Sequence, residues 1–132
     1  MKHLPRLHFW VGVAGVLAFL ATGQYMHHAL NHLDGMADGP RLLFRSAHIY
    51  LLLTAILNLV MGIYLPSAVS RVRPFLQYIV SAVILLSPWI MLAGFFIGSR
   101  ENTLARPMIQ LGLYALFAVA VALTVQSFWR RK

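Results

Sequence analysis

Four of the chain's six histidines and two of its three acidic residues fall within the 29-residue stretch YMHHALNHLDGMADGPRLLFRSAHIYLLL. Neutral imidazole is a good ligand for transition-metal ions and for haem iron. His28 and His32 are four residues apart, so they share one face of a helix. We therefore predict that this stretch binds a transition-metal ion or a single b-type haem, held mainly by His28 and His48. His27 and His32 are the alternative ligands.

Helical geometry predicts that His28 and His48 face one another. If two antiparallel helices are joined by a turn centred near Ala37, His28 lies nine residues before the turn centre and His48 eleven after it. At about 1.5 Å per residue, their levels then differ by only about 3 Å. Gln24, four residues before His28, and Asp34 are expected to support this site.

Arginines near the same place indicate a second chemistry. Arginine binds phosphate and carboxylate groups through two parallel hydrogen bonds. Arg41, Arg45 and His48 form a stripe along one helix, at the spacing i, i+4, i+7. The alternative hypothesis is therefore an enzyme or carrier that acts on an anionic amphiphile. Its residues are Arg41, Arg45, Arg106 and His48, with Gln110 and Tyr114 on the last helix as supporting groups.

The segment RLLFRSAHIYLLLTAILN, through Arg45, Ala47 and His48, resembles a basic motif of the membrane-associated eicosanoid and glutathione enzymes. Those proteins are similarly small four-helix proteins, and the motif opens their second helix. The resemblance implies a glutathione-like ligand. It covers fewer than 20 residues, Tyr50 stands where the pattern has Asn, and no Glu follows in the helix. We therefore do not assign the chain to that family.

The composition indicates an integral membrane protein. The 132 residues are 60% hydrophobic and 11% charged, against roughly 25% charged residues in soluble domains. No cysteine is present, which excludes disulfides and thiolate metal sites. The net charge of +8 comes from basic residues placed between apolar runs, a pattern that favours lipid head groups as partners over nucleic acid.

Four apolar segments predict an all-α fold, a single transmembrane domain over residues 1–132. We predict an up-down-up-down antiparallel four-helix bundle, because the connections are short. The predicted helices cover roughly residues 7–33, 40–65, 74–97 and 104–127. Within the first two helices, a ridge of small residues at Ala14, Ala18 and Thr22 is expected to pack against Thr54 and Asn58. A mid-helix Asn should hydrogen-bond to another helix.

The distribution of Lys and Arg predicts the orientation. Seven lie at the N-terminus, in the middle loop and in the tail, and four lie in the other two loops. The positive-inside rule then places both termini in the cytoplasm of a bacterial-type inner membrane. The His/Arg pocket, at the ends of helices 1, 2 and 4, would face the periplasm.

Catalytic motifs are not evident, so whether the protein is an enzyme is left open and binding is the leading hypothesis. The sequence contains no Gly-x-Ser-x-Gly, phosphate loop or His-Glu-x-x-His pattern. A third hypothesis is a structural subunit of a larger membrane complex. The expected partners are membrane lipids, together with a second copy of the chain or a larger complex.

Overall fold

The computed structural model of the protein describes residues 3–68, 74–97 and 107–129, apart from the side chains at 65–68, 74 and 123–129. In these ranges the chain forms four long helices and no strand. They are α1 (Leu4–Gln24), α2 (Asp38–Ala68), α3 (Pro74–Ile97) and α4 (Pro107–Trp129). The all-helical fold predicted from the sequence is therefore confirmed for the described ranges, and α3 has the predicted bounds.

Three helical segments in the described ranges are long and apolar enough to cross a membrane. They are Leu4–Ala29, Asp38–Tyr64 and Phe75–Ile97, with 26, 27 and 23 residues. About 20 residues are needed to span the hydrocarbon core. The apolar part of α4 with described side chains, Pro107–Ala122, is shorter. A crossing by α4 stays a prediction.

The backbones of α1 and α2 approach closely because glycines lie at their contact. A Cβ atom built on Gly12 would lie 2.7 Å from the backbone nitrogen of Leu59. A Cβ on Gly62 would lie 2.7 Å from the backbone nitrogen of Phe9. Residues further along α1 thus contact residues earlier in α2, so the two helices run in opposite directions. Small residues allow close backbone approach between helices in membranes, where packing and interhelical hydrogen bonds drive association.

The ridge of α1 that faces α2 differs from the predicted one. Ala14 and Ala18 are only half-buried, whereas Gly12, Gly15 and Thr22 are buried. The prediction considered alanine and threonine as the small residues. Glycine, which has no side chain at all, provides the closest approach, so the ridge is rotated toward the glycines.

The third helix packs against α2, and α4 packs against α3. The rings of Phe44 and Phe95 meet edge to face with centroids 5.2 Å apart. The side-chain amide nitrogen of Asn58 donates a hydrogen bond to the carbonyl of Ile84, at 2.7 Å. The expected interhelical hydrogen bond of Asn58 is therefore confirmed. The main cluster of buried apolar residues comprises Leu33, Phe44, Ala47, Leu51, Met91, Phe95 and Ile109.

The regular part of the first helix ends earlier than the predicted boundary near residue 33. It continues as a π-helix over Tyr25–Ala29 and then as a 3₁₀ turn over Asn31–Leu33. The three residues of that turn have positive φ, between 43° and 66°. These left-handed φ angles change the direction of the backbone and allow Leu33, which is 3% exposed, to enter the core. Burial of that side chain offsets the strain that the left-handed backbone costs a residue with a Cβ.

Candidate functional site

The imidazole of His48 is oriented by a threonine on the facing helix. Its Nδ1 atom lies 2.9 Å from Oγ1 of Thr22, and that hydroxyl also donates a hydrogen bond to the carbonyl of Phe19, at 2.9 Å. A hydroxyl has one proton to donate. It therefore accepts from His48, whose Nδ1 carries the proton. In the neutral ring Nε2 is then unprotonated and able to accept a proton or bind a metal ion.

The other contacts of His48 come from the same helix as Thr22. Its ring stacks on Phe19, with centroids 4.0 Å apart and an angle of 19° between the planes. A Cβ atom on Gly23 would lie 3.3 Å from Cε1 of His48. His48 is thus surrounded by Thr22, Phe19 and Gly23, whereas the sequence predicted His28 as its neighbour. The predicted pairing of His28 with His48 assumed a regular helix, and the π-helix ends that regularity before residue 28 is reached.

The remaining three histidines of the stretch form their own group, and all three are exposed. The Nδ1 atoms of His27 and His32 are 3.1 Å apart, so one of them donates and the other accepts. The ring of His28 meets that of His27 edge to face at 4.3 Å. His32 is brought to His27 by the left-handed turn and not by a shared helical face, since its φ is 58°.

A cavity of about 210 Å³ lies beside this histidine group. We call it the Arg45 cavity. Its lining residues are Gly23, Met26, His27, His32, Leu33 and Arg45. The lining thus contains a guanidinium and two imidazoles but no acidic side chain. Its volume is below the roughly 300 Å³ at which sites for whole small molecules begin. The chemistry of the lining and the volume both suit a small anionic group.

The two arginines of α2 have different surroundings. Arg41 donates to the carbonyl of Met36 at 2.9 Å and lies 3.5 Å from a carboxylate oxygen of Asp38. Arg45, one turn further on, is exposed and forms no hydrogen bond or ion pair with a residue in 3–68, 74–97 or 107–129. Arg41 is therefore engaged by its own loop, whereas the guanidinium of Arg45 is available to a ligand.

The supporting residues predicted from the sequence are not drawn into the Arg45 cavity. Gln24 and Asp34 are exposed and are absent from its lining. Gln110 and Tyr114 are exposed on α4, and Tyr114 is 69% exposed. Since α4 packs mainly against α3, these two side chains lie away from the α1–α2 pair. Arg106 lies outside the described residues.

A metal site with three protein ligands is not formed by the described part of the chain. No group of three or more His, Cys, Asp or Glu side chains there is placed to hold a metal ion. The ring stacked on His48 is that of Phe19, and the ring nearest His27 is that of His32. The imidazoles near the Arg45 cavity are thus divided between two separate arrangements.

A second oriented histidine, outside the predicted site, lies near the other end of the α1–α2 pair. His8 is 0% exposed, and its Nδ1 lies 2.9 Å from the carbonyl oxygen of the Asn58 side chain. The sequence did contain a signal for this pair. Both residues are polar, and each interrupts an apolar segment, which in a membrane requires a partner inside the protein.

An apolar groove of about 340 Å³ lies between α3 and α4. Its lining residues are Leu86, Trp89, Ile90, Ala93, Met108 and Leu111. The groove offers no polar group that would orient a ligand. It is a surface suited to lipid chains and not a second candidate site.

Comparisons with known proteins find no family model, no curated protein and no solved structure that matches the chain. The class that the fold defines is a helical protein with three described segments suited to crossing a membrane.

Proposed function

We propose that the protein is a multi-pass membrane protein that binds the anionic head group of an amphiphile in the Arg45 cavity. One observation carries this proposal. The exposed guanidinium of Arg45 lines a cavity together with His27 and His32, without an acid in the lining and without an ion pair to a described residue. Such a guanidinium is suited to bind a phosphate or carboxylate through two parallel hydrogen bonds.

The rest of the cavity supports an amphiphile over a free ion. Met26 and Leu33 contribute apolar surface to the same lining. The cavity opens at the end of the segments Leu4–Ala29 and Asp38–Tyr64, which are suited to crossing a membrane. At that level a lipid-like ligand can place its head group on Arg45 while its chain stays in the hydrocarbon region.

The proposed setting is a bacterial-type inner membrane, with the four helices up-down-up-down and both termini in the cytoplasm. The count of seven Lys and Arg against four supports this orientation. The Arg45 cavity then faces the periplasm. Large apolar side chains are exposed on all four helices. Membrane lipids, and in an oligomer a second copy of the chain, are the partners that would cover them.

His48 supports a second candidate function, the binding of a transition-metal ion or a single b-type haem. The observation in its favour is that Thr22 holds the proton on Nδ1, which leaves Nε2 as a ligand atom. This arrangement is usual for metal-bound imidazoles. The further ligands would come from the exposed His27, His28 and His32 or from a second copy.

The test of the anion hypothesis uses two arginines one turn apart on the same helix. The protein is reconstituted in phosphatidylcholine nanodiscs with a dansyl-labelled phosphatidylglycerol, and energy transfer from its three tryptophans reports binding. Arg45→Gln should weaken binding by at least about tenfold, since a hydrogen bond to a charged group is worth on the order of 1.5–3 kcal/mol. Arg41→Gln removes the same charge and should change the affinity less than about twofold, because that guanidinium is engaged by Asp38 and Met36.

The outcomes separate the hypotheses. An equal loss in both variants would mean that net charge alone attracts the lipid, and the cavity would be rejected as a site. Displacement of the labelled lipid by glutathione would identify a soluble anionic ligand. If neither arginine matters and the protein purifies with a fixed partner, the structural-subunit hypothesis is favoured.

The metal hypothesis is tested on protein purified in mild detergent without a histidine tag. A Soret band, or stoichiometric transition metal that is lost in His48→Gln, would support it. A colourless, metal-free protein would reject it.

A further inference from the structure

Four buried polar side-chain atoms in the described part of the chain have no hydrogen-bond partner, and they belong to only three residues. They are Nε2 of His8, both amide atoms of Gln77 and the hydroxyl of Ser81. The three side chains are 0%, 4% and 1% exposed. An unpartnered polar group costs free energy in an apolar interior, and in the hydrocarbon region the surrounding solvent offers no partner.

The hydrogen bonds of Asn58 define the chemistry of His8. The amide nitrogen of Asn58 donates to the carbonyls of Thr54, at 3.0 Å, and Ile84, at 2.7 Å. These two bonds fix the orientation of the amide, so its oxygen faces His8 and must accept the proton of Nδ1. In the neutral ring Nε2 is then an acceptor, and it lies buried inside the protein.

The register of α1 and α3 places Ser81 at the level of His8. A Cβ atom on Gly15 would lie 3.6 Å from Cβ of Pro88, so these two residues face each other. His8 comes seven residues before Gly15, and Ser81 comes seven residues before Pro88. The two helices run in the same direction, because Asn58 joins His8 to Ile84 and Gly15 meets Pro88. Seven residues are close to two helical turns, so His8 and Ser81 lie on the same faces as Gly15 and Pro88 and about the same height below them. Gln77 precedes Ser81 by four residues, so it lies one turn earlier on the same face of α3.

Ser81 also differs from the other serine and threonine side chains that the structure describes. Thr22, Ser46, Thr54 and Ser87 each donate to a backbone carbonyl three or four residues earlier in their own helix. Ser81 has such carbonyls within its own helix and does not bond to one. Its hydroxyl is therefore free to bond to a group at the α1–α3 contact.

We propose that His8, Ser81 and Gln77 enclose an internal hydration site, which binds small neutral hydrogen-bonding molecules and holds about two waters. Water matches the lining because it donates to Nε2 of His8, accepts from the amide of Gln77 and does either with Ser81. The three side chains are neutral, with one imidazole among them, which disfavours an anion or a metal ion. This site is independent of the Arg45 cavity.

Bound water has a structural consequence for Asn58. A water that donates to Nε2 keeps the proton of His8 on Nδ1, and that proton in turn fixes the oxygen of Asn58 toward α1. The amide nitrogen then stays on the α3 carbonyl of Ile84. The hydration site therefore stabilises the junction of three helices through one chain of hydrogen bonds.

The direct test is nuclear magnetic resonance of the full-length protein in nanodiscs. The side-chain amide protons of Gln77 are assigned by their loss in Gln77→Leu. We expect them to show cross-relaxation with the water resonance, with the sign that marks a long-lived bound molecule. Cross-relaxation with aliphatic protons alone would overturn the proposal.

A second measurement compares serine-to-alanine variants at two buried positions of the membrane-suited α3. If water bridges the site, Ser81→Ala breaks a bridge and lowers the melting temperature by more than Ser87→Ala, which loses only a bond within its own helix. If the site is dry, Ser81→Ala removes an unsatisfied group and raises the melting temperature. An equal or smaller loss than that of Ser87→Ala, or a gain, would overturn the proposal.

Discussion

The two histidines on the α1–α2 contact, His8 and His48, form the same type of hydrogen bond but differ in their burial. Each donates Nδ1–H to an oxygen on the facing helix and leaves Nε2 unprotonated. Around His8 the helices touch through backbone, and the ring is fully buried. His48 is only half-buried, and it lies next to Gly23, which lines an open cavity. The same oriented imidazole is thus enclosed at one end and reachable at the other.

This difference indicates a division of roles. An enclosed acceptor can bind only what is already inside the protein, so the His8 end is suited to fixing helices in place. The His48 end has exposed side chains and a left-handed turn, and such regions commonly carry ligand binding. Variants that change packing should therefore act most strongly near His8, whereas variants that change chemistry should be tolerated near His48.

The largest expected effect is that of Gly62→Ala, at the His8 end. The new Cβ atom would lie 2.7 Å from the backbone nitrogen of Phe9 and 2.8 Å from its Cα, and backbone atoms cannot move aside. We expect a loss of about 1–3 kcal/mol in the free energy of unfolding, measured by thermal unfolding with tryptophan fluorescence. Gly23→Ala is the matched control, because its Cβ meets a side-chain ring at 3.3 Å. If Gly23→Ala lowered the free energy of unfolding as much as Gly62→Ala or more, the proposed difference in packing between the His8 end and the His48 end would be contradicted.

Asn58→Leu should have the next largest effect. It removes hydrogen bonds to His8, Thr54 and Ile84 and leaves the buried Nδ1–H of His8 without a partner. The expected loss is about 1–3 kcal/mol, with interhelical hydrogen bonds in membranes at the lower end of that range. Adding His8→Phe to Asn58→Leu should recover part of the stability, since the orphaned group is then gone. A double variant less stable than Asn58→Leu would show that His8 has a stronger partner.

Thr22→Val should have the smallest effect on stability and a distinct spectroscopic one. Valine has nearly the shape of threonine, so we expect a loss of only about 0.6 kcal/mol. Without the hydroxyl, Nδ1 of His48 loses its acceptor, and the proton should distribute between the two ring nitrogens. Nitrogen-15 spectra of histidine-labelled protein measure this directly. Unchanged His48 shifts would mean that Phe19 and Gly23, rather than Thr22, determine which nitrogen carries the proton.

Much of the helical fold could be predicted from the sequence because hydropathy and proline positions act locally. α3 begins at Pro74 and ends at Ile97, as the apolar run and its flanking residues indicated. The interhelical hydrogen bond of Asn58 followed from the cost of a polar amide among apolar neighbours. These inferences required no knowledge of which helices meet.

The site was harder to predict because it depends on a departure from regular geometry. Nothing in the local amino-acid sequence indicates that Leu33 adopts a positive φ, which is costly for a residue with a Cβ. Its burial among Phe44 and Phe95 decides the turn, and that burial is a property of the whole fold. The different roles of Arg41 and Arg45 depend on the same turn, since Met36 and Asp38 engage only the first of them.

The π-helical segment Tyr25–Ala29 gives the Arg45-cavity end and the His8 end of the α1–α2 pair a different tolerance to the deletion of one residue. A π-helical turn holds about one residue more than the α-helical turn it replaces. Loss of one codon here would convert the π-helical turn to an α-helical turn, so the side chains beyond the turn would keep their orientation. A one-residue deletion between His8 and Gly12 would instead turn Gly12 and Gly15 by about 100° relative to His8 and break their close contacts with α2. The chain can therefore lose one residue at the end that carries the Arg45 cavity, whereas the same loss at the His8 end disrupts the packing of α1 on α2.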